Sequence, residues 1–201
     1  FWLIRHAIVE QNARRHLYGA MDVPLCPDSL VAQRPMYETL ARRLPHPALW
    51  FTSPLGRAQQ TAQAIQQAGY GMQASRIEPG FTEQSMGEWH GTTHDRLPEK
   101  LAVPAHPFWS VGATEQPPGG ESMVQVCARV GAALDRMSRE YAGQDMVVVS
   151  HGGAIRGALA HALHVHAHTA LHFSVQNLSL SVIEHLREGW RVVNVNELPL
   201  A

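Results

Sequence analysis

Short apolar runs bounded by turn residues recur along the chain and predict β-strands. We expect six strands, at about 1–4, 48–52, 76–78, 146–150, 178–184 and 190–195. The run from 146 to 149 reads Met-Val-Val-Val and is apolar throughout. Such a run is typical of a strand that is buried on both faces of a parallel sheet.

Longer amphipathic or helix-forming stretches lie between these strands. We expect helices within 29–44, 53–69, 120–143 and 152–163, with Pro35 either in the first turn of its helix or at a kink. Strands that alternate with helices predict an α/β fold with a mainly parallel sheet. The last two strands have no helix between them and predict a hairpin at one edge. We therefore expect a three-layer α/β/α architecture with an antiparallel edge strand.

The 201 residues are enough for one domain, which we expect to span 1–201. The segment 92–120 differs from its surroundings because it combines five prolines with Phe108 and Trp109. Loops of this length are commonly functional or mobile. We interpret the segment as a lid-like insertion over the sheet.

The formal net charge of -1 argues against a general nucleic-acid or membrane-surface binder, which needs a basic excess. No apolar run reaches the roughly 20 residues of a membrane span, and no signal peptide is visible. Cys26 and Cys127 lie far apart, which favours free thiols in a reducing compartment. We expect a cytoplasmic protein. The chain starts with Phe1 rather than Met, so a preceding segment remains an open alternative.

Groups that bind phosphate well follow three of the predicted strands. Arg5 and His6 follow the first, Arg57 lies early in the helix after the second, and Ser150, His151 and two glycines follow the fourth. Ligands of open parallel sheets bind outside the carboxyl ends of the strands, beside helix N-termini that favour anions. The sequence therefore predicts a pocket for a dianion such as a phosphoryl group.

These residue types also predict a reaction. A neutral imidazole can attack phosphorus and form a phosphohistidine, which splits one difficult step into two. Forked arginines and a second, protonated histidine can stabilise the transferring group without a metal. The leaving alkoxide needs a proton, and Glu83 is the best-placed acid, with Glu88 in the same segment as its rival.

Five segments in order resemble the histidine phosphatase superfamily, whose fold is phosphoglycerate-mutase-like: LIRHA, SPLGRAQQTA, TEQSMGEWHG, GGES and VVVSHGGAIR. The resemblance extends over nearly the whole chain. It implies that His6 is the nucleophile, His151 the second catalytic histidine and Glu83 the proton donor. It also implies that Arg5, Arg57 and Asn12 bind the phosphate.

The chain departs from the usual form of the first motif. That form is Arg-His-Gly followed by an acidic or hydroxyl residue, whereas here Ala7, Ile8 and Val9 follow His6. Alanine fits only if its backbone has a negative φ, and we expect a hydroxyl contact to phosphate to be lost. The form LIRHA…LYGAMDVPL resembles a bacterial branch that includes α-ribazole phosphatases. This resemblance suggests α-ribazole 5'-phosphate as one candidate substrate.

We favour hydrolysis of a small-molecule phosphomonoester. Cofactor-dependent phosphoglycerate mutases carry a longer insertion with basic residues, whereas the insertion here has only Arg96 and Lys100. A mutase with the same intermediate remains the first alternative. A non-catalytic phosphate-binding protein is the second. A homodimer formed through the apolar region 173–182 also stays open.

A histidine-rich run provides the case for a metal. His161, His164 and His168 would share one face of a helix and could bind zinc. We expect the helix to end near Leu163, which separates them. The prediction is therefore no metal and no cofactor, with a metal-dependent hydrolase as a further alternative.

Overall fold

A computed structural model describes residues 1–199. It contains six strands: β1 (Trp2–Arg5), β2 (Leu49–Thr52), β3 (Ser75–Ile77), β4 (Met146–Ser150), β5 (Leu180–Leu186) and β6 (Gly189–Glu197). They form one sheet in the order β3-β2-β4-β1-β5-β6. The first four pair in parallel, β5 is antiparallel to β1, and β5 and β6 form a hairpin at one edge. The predicted strands and their mixed arrangement are confirmed.

Six α-helices connect the strands: α1 (Pro27–Ala32), α2 (Arg34–Arg43), α3 (Gly56–Ile65), α4 (Met123–Glu140), α5 (Gly152–Leu163) and α6 (Ala167–Ala170). The helix expected at 29–44 is divided at Gln33, and Pro35 lies in the first turn of α2, where a missing N–H is tolerated. The helix α4 begins with a capping box between Ser122 and Gln125.

Alternate residues of the central strands face opposite helical layers. Leu3 and Val148 pack in an apolar cluster with residues of α4 and α5. Their neighbours Ile4 and Val149 pack in a second cluster on the other face, with residues of α2 and α3. This period of two places one helical layer on each face of the sheet and produces the expected three-layer α/β/α fold.

The strand register brings the predicted site residues to one edge. Arg5 at the end of β1 pairs with Ser150 at the end of β4, and Thr52 at the end of β2 pairs with Val149. The chain then leaves all three parallel strands at the same level. His6 donates its backbone N–H to the Ser150 carbonyl, at 2.9 Å, which holds the two strand ends together.

The segment 92–120 packs beside this edge. It contains one short 3-10 turn, Leu97–Lys100. Leu97 and Val111 from the segment join Leu17, Met86 and Trp89 in a third apolar cluster, separate from the two on the sheet. The segment is thus anchored by its own small core. Its function as a lid stays a prediction.

The cysteines and the length of the helices bear on two further expectations. Cys26 and Cys127 are both free thiols, as predicted. Within residues 1–199, no helix combines the length and the apolar character needed to cross a membrane.

Candidate active site

His6 lies directly after β1 and is almost completely buried, with 1% of its surface exposed. Its Nδ1 lies 2.7 Å from the Ala7 carbonyl oxygen. A carbonyl accepts but does not donate, so Nδ1 carries the proton of the neutral ring. The Asn177 amide donates to the carbonyl of His6, at 2.8 Å, and fixes the backbone. This tautomer leaves the lone pair of Nε2 free for attack on an electrophile.

Ala7 adopts the backbone conformation that the departure from the family motif requires. Within residues 1–199, the non-glycine residues with positive φ are His164, Leu178 and Asn196, so the φ of Ala7 is negative. Its N–H donates to Thr61 Oγ1 at 3.0 Å, and its methyl group is buried in the cluster against α2 and α3. Alanine is therefore accommodated without strain in the loop that holds His6.

His151 follows β4 and is fully buried beside His6, with 5.1 Å between the ring centroids. Its Nε2 lies 2.6 Å from Ser53 Oγ, the first residue after β2. Its Nδ1 is buried and has no hydrogen-bond partner among the residues described. The two histidines from neighbouring strand ends thus form a pair, with one nitrogen of His151 open to a ligand. Ser53 was not identified from sequence, although its place at a strand end was a signal.

The two predicted arginines reach the same region from different elements. Arg57, in the first turn of α3, is completely buried and donates to the carbonyls of Met21 and Gly19, at 2.6 and 2.7 Å. Arg5 donates to the Val175 carbonyl at 2.6 Å. The Nε of each arginine is buried without a partner in residues 1–199.

A third arginine, Arg156, was missed by sequence reasoning. It is buried one turn into α5, its Nε donates to the Phe173 carbonyl at 2.9 Å, and its Nη1 has no described partner. The guanidinium stacks over the Trp109 ring, 4.7 Å from its centroid. Its position in the first turns of a helix after a strand end, like that of Arg57, was the available signal.

The two glycines at the start of α5 allow these groups to approach the helix N-terminus. A methyl group on Gly152 would lie 3.0 Å from Arg156 Nη1 and 3.6 Å from Arg5 Nε. A methyl group on Gly153 would collide with the Glu83 carboxylate. Unpartnered nitrogens of two arginines therefore lie close to the N–H groups that begin α5, as an anion site requires.

Glu83 is the acid that the structure brings to this site. Its carboxylate accepts from the Gly153 N–H at 3.1 Å and from its neighbour Gln84 at 2.8 Å. Glu88, the rival, is exposed in the 3-10 turn Gly87–Trp89. Only Glu83 is therefore next to the α5 N-terminus.

A cavity of about 260 Å³ opens above Arg5 and Glu83. Other residues that line it come from the loop before α1, the insertion and the loop before β5, and include Arg14, His16, Tyr18, His94, Trp109, Ser110 and Asn177. His6, His151 and Arg57 are not among the lining residues. All three are buried.

Asn12 differs from the other predicted site residues because no described contact links it to the strand ends that hold His6 and His151. It is exposed and precedes the 3-10 turn Ala13–Arg15 without a side-chain cap. Its carbonyl accepts from His16 Nδ1, at 2.9 Å. A contact between Asn12 and phosphate stays a prediction that this geometry does not support.

The end of α5 separates His161 from His168, as expected. The helix α5 ends at Leu163, and His164 follows in the left-handed conformation. His161 Nε2 lies 2.8 Å from Asp135 Oδ1 on α4. His168 instead lies beside His106 and His172, a grouping that the helical spacing did not predict.

Burial determines the charge state of the paired histidines. It lowers the pKa of His6 well below its usual range, and the guanidinium groups of Arg57 and Arg5 lower it further. Burial lowers the pKa of His151 in the same way, followed by repulsion from the protonated form of His6 and from the guanidinium groups of Arg57 and Arg5. Burial also lowers the pKa of Arg156, to about 10. At neutral pH both imidazoles are neutral, and His6 is therefore nucleophilic.

Comparison with known proteins gives one family. The family model of the histidine phosphatase superfamily, branch 1, matches residues 1–198. Among curated proteins, the chain is 32% identical over 200 residues to probable phosphoglycerate mutases of Yersinia pestis and Yersinia pseudotuberculosis. The match covers 94% of this chain and 86% of the relative.

Solved structures of similar fold cover nearly the full chain. A mycobacterial glucosyl-3-phosphoglycerate phosphatase has a TM-score of 0.81 at 25% identity, over 98% of each chain. An Escherichia coli protein described as a candidate α-ribazole-5'-P phosphatase has a TM-score of 0.79 at 24% identity, over 98% of this chain and 95% of its own. The second likeness shows the fold alone.

The buried neutral histidines predict a loss of stability in acid. An unfolded chain takes up protons on both rings below about pH 6.5, whereas the folded chain does so only at lower pH, so the free energy of unfolding falls as pH falls. Each ring contributes a slope of up to about 1.4 kcal/mol per pH unit. Urea unfolding should therefore show a slope smaller by about that amount in His6→Gln than in the wild type. Equal slopes would contradict the neutral state of buried His6.

Proposed function

The chain belongs to the histidine phosphatase superfamily, and from this membership we propose that it hydrolyses a small phosphomonoester through a phosphorylated His6. One observation carries the proposal. Four buried nitrogens at the edge that holds neutral His6 have no hydrogen-bond partner among residues 1–199: Arg5 Nε, Arg57 Nε, Arg156 Nη1 and His151 Nδ1. An unsatisfied buried polar group costs about 1–3 kcal/mol. A phosphoryl dianion would supply acceptors for all four.

In the first step, Nε2 of His6 attacks the phosphorus atom and the bond from phosphorus to the ester oxygen breaks. The Nδ1 proton, donated to the Ala7 carbonyl, holds the ring in the reactive tautomer and supports the positive charge that develops on it. The leaving alkoxide takes a proton from Glu83 in its acid form. The products are the free alcohol and phosphohistidine.

In the second step, water attacks the phosphohistidine. The Glu83 carboxylate accepts a proton from this water, the bond from phosphorus to His6 Nε2 breaks, and phosphate leaves. Glu83 then carries the proton that the next leaving group needs. The carboxylate can serve both steps because the Gly153 N–H holds it beside the start of α5.

Positive charge from side chains replaces that of a metal in this mechanism. Arg5, Arg57 and Arg156 are permanent cations around the phosphoryl position. Burial lowers the pKa of His151, and nearby positive charge lowers it further; a bound dianion offsets that charge and raises this pKa, so that His151 can then hold a second proton.

The cavity suggests the class of alcohol. Tyr18 and Trp109 offer flat apolar surfaces, whereas Arg14, His16 and His94 offer groups for a second anion. This combination favours a phosphomonoester that carries a carboxylate, as the phosphoglycerates do. Such a site would be consistent with the mycobacterial phosphatase that acts on glucosyl-3-phosphoglycerate. α-Ribazole 5'-phosphate, which has no carboxylate, is the contrasting candidate for a substrate screen.

A phosphoglycerate mutase is the second candidate. The 32% identity to probable mutases favours it, as does Arg14 at the cavity. Against it, Arg96 and Lys100, the basic residues of the insertion, are exposed and do not line the cavity. Conversion of 3-phosphoglycerate only in the presence of 2,3-bisphosphoglycerate would identify a mutase, whereas release of phosphate without it supports the phosphatase.

A cytoplasmic location is part of the proposal.

Substitutions of the two central groups test the mechanism with p-nitrophenyl phosphate in EDTA. His6→Ala should have no detectable turnover because the nucleophile is lost. Glu83→Gln should lower kcat by about 10²–10⁴-fold because proton transfer is lost. Glu88→Gln is the matched control, an exposed acid of the same segment, and should retain wild-type kinetics. Normal turnover by His6→Ala would refute the mechanism, and loss of wild-type turnover in EDTA would indicate a metalloenzyme.

Arg14→Gln tests the proposed carboxylate contact. Loss of a charge-assisted hydrogen bond of about 1.5–3 kcal/mol should raise KM for glucosyl-3-phosphoglycerate or 3-phosphoglycerate roughly tenfold or more. The same variant should leave KM for p-nitrophenyl phosphate unchanged. Arg15→Gln, an exposed neighbour that does not line the cavity, is the control. Equal effects of Arg14→Gln on both kinds of substrate would exclude a specific carboxylate contact.

A further inference from the structure

Three histidines form a cluster outside the cavity. His106 comes from the insertion, His168 from α6 and His172 from the turn that follows α6. One ring nitrogen from each lies within 4.8 Å of those of the other two. The ring of His106 stands at 75° to that of His168 and at 89° to that of His172, with centroid distances of 4.6 and 4.7 Å. The phosphoryl-transfer mechanism uses none of them.

We propose that His106, His168 and His172 bind one zinc ion, with a water molecule as fourth ligand. Three imidazoles and a water are an established zinc ligand set. Zinc–nitrogen bonds of about 2.0–2.1 Å in a tetrahedron place the nitrogens about 3.4 Å apart. The three ring nitrogens now lie within 4.8 Å of one another, and rotations of the exposed His168 and His172 side chains can bring them to the shorter separation that zinc requires. Neutral imidazoles without a carboxylate favour zinc, copper or nickel over magnesium or calcium.

His106, the buried member of the cluster, supports a preformed ligand site. His106 is 5% exposed, and its Nε2 is buried without a hydrogen-bond partner among the residues described. An isolated buried nitrogen of this kind is destabilising unless a ligand occupies it.

Coordination would alter the backbone next to the active-site cavity. His106 Nδ1 now accepts from the Phe108 N–H, at 3.2 Å, so the proton of the neutral ring is on Nε2. Binding of zinc through Nε2 requires that proton on Nδ1. The Phe108 N–H must then turn away from the ring. Trp109, the next residue, lines the cavity and stacks on Arg156.

The other half of the cluster reaches Arg156 as well. Phe173, the residue after His172, accepts a hydrogen bond from Arg156 Nε. A metal held between His106 and His172 would therefore join the insertion to the segment after α6, on either side of this arginine. None of the three histidines lines the cavity, so the ion would fix the insertion rather than contact the phosphoryl group. This inference does not depend on the proposed reaction.

Zinc titration of the metal-free, untagged chain tests the proposal. Competition with a chromophoric chelator should give one zinc ion per chain, and cobalt should give the absorption bands of a tetrahedral site. Substitutions of positioning residues around a metal weaken binding about 10–100-fold, so loss of a ligand in His168→Gln or His172→Gln should weaken it by at least about 100-fold. His166→Gln, an exposed histidine in the same segment, is the matched control and should retain the wild-type affinity.

His168 and His172 are exposed, so their substitution should leave the fold intact and the test does not depend on folding. Unchanged zinc affinity in the double variant His168→Gln/His172→Gln would overturn the proposal. Zinc should also slow amide hydrogen exchange at 104–110 in the wild type and not in the double variant. Equal exchange with and without zinc would refute the link between the ion and the insertion. Both readouts can be made on Glu83→Gln, so failure of the proposed reaction would not affect them.

Discussion

Buried positive charge at the carboxyl edge of the sheet constrains the rest of the structure. Three arginines and two histidines meet there, and several of their nitrogens have no acceptor within residues 1–199. Removing such groups from water is unfavourable, and their mutual repulsion adds to the penalty. The fold tolerates them because each guanidinium donates to at least one backbone carbonyl and because the imidazoles stay neutral. The remaining unpaired nitrogens are the basis of the proposed dianion site.

The rest of the architecture serves to assemble that edge. Parallel pairing of β1 with β4 and of β4 with β2 aligns the strand ends, so that residues distant in sequence become neighbours. Two glycines at the start of α5 leave room for Arg5, Arg156 and Glu83 around the helix N-terminus. The antiparallel β5 contributes through the loop before it, where Asn177 holds the backbone of His6. Packing of both sheet faces therefore fixes the positions of the proposed catalytic residues at the edge.

Much of this arrangement could be predicted from the sequence because it depends on short-range signals. The runs that became β1, β2 and β4 were apolar and were followed by Arg5-His6, by a helix with Arg57 near its start and by Ser150-His151, and parallel strands bring such ends together. Ala7 meets the condition of negative φ under which alanine fits after His6. The roles of the site residues remain predictions, since no measurement on this chain tests them.

What the sequence did not reveal depends on long-range packing. Arg156 looked like an ordinary helical residue until the Trp109 ring and the Phe173 carbonyl were placed beside it. The cluster of His106, His168 and His172 joins a proline-rich segment without periodicity to a short helix, so no spacing rule predicts it. Asn12 was named only because the family resemblance suggested it, and the structure leaves it exposed before the 3-10 turn Ala13–Arg15.

The central claim is that His6 carries the phosphoryl group between the two steps. The Glu83→Gln enzyme with p-nitrophenyl phosphate tests it most directly. The p-nitrophenolate leaving group needs no acid, whereas hydrolysis of the intermediate loses its base, so the intermediate should accumulate. Mass spectrometry of alkaline-quenched protein should then find one phosphoryl group, on the imidazole of His6. Phosphorylation of Ser53, which lies against His151, or turnover without any phosphorylated enzyme would contradict the account.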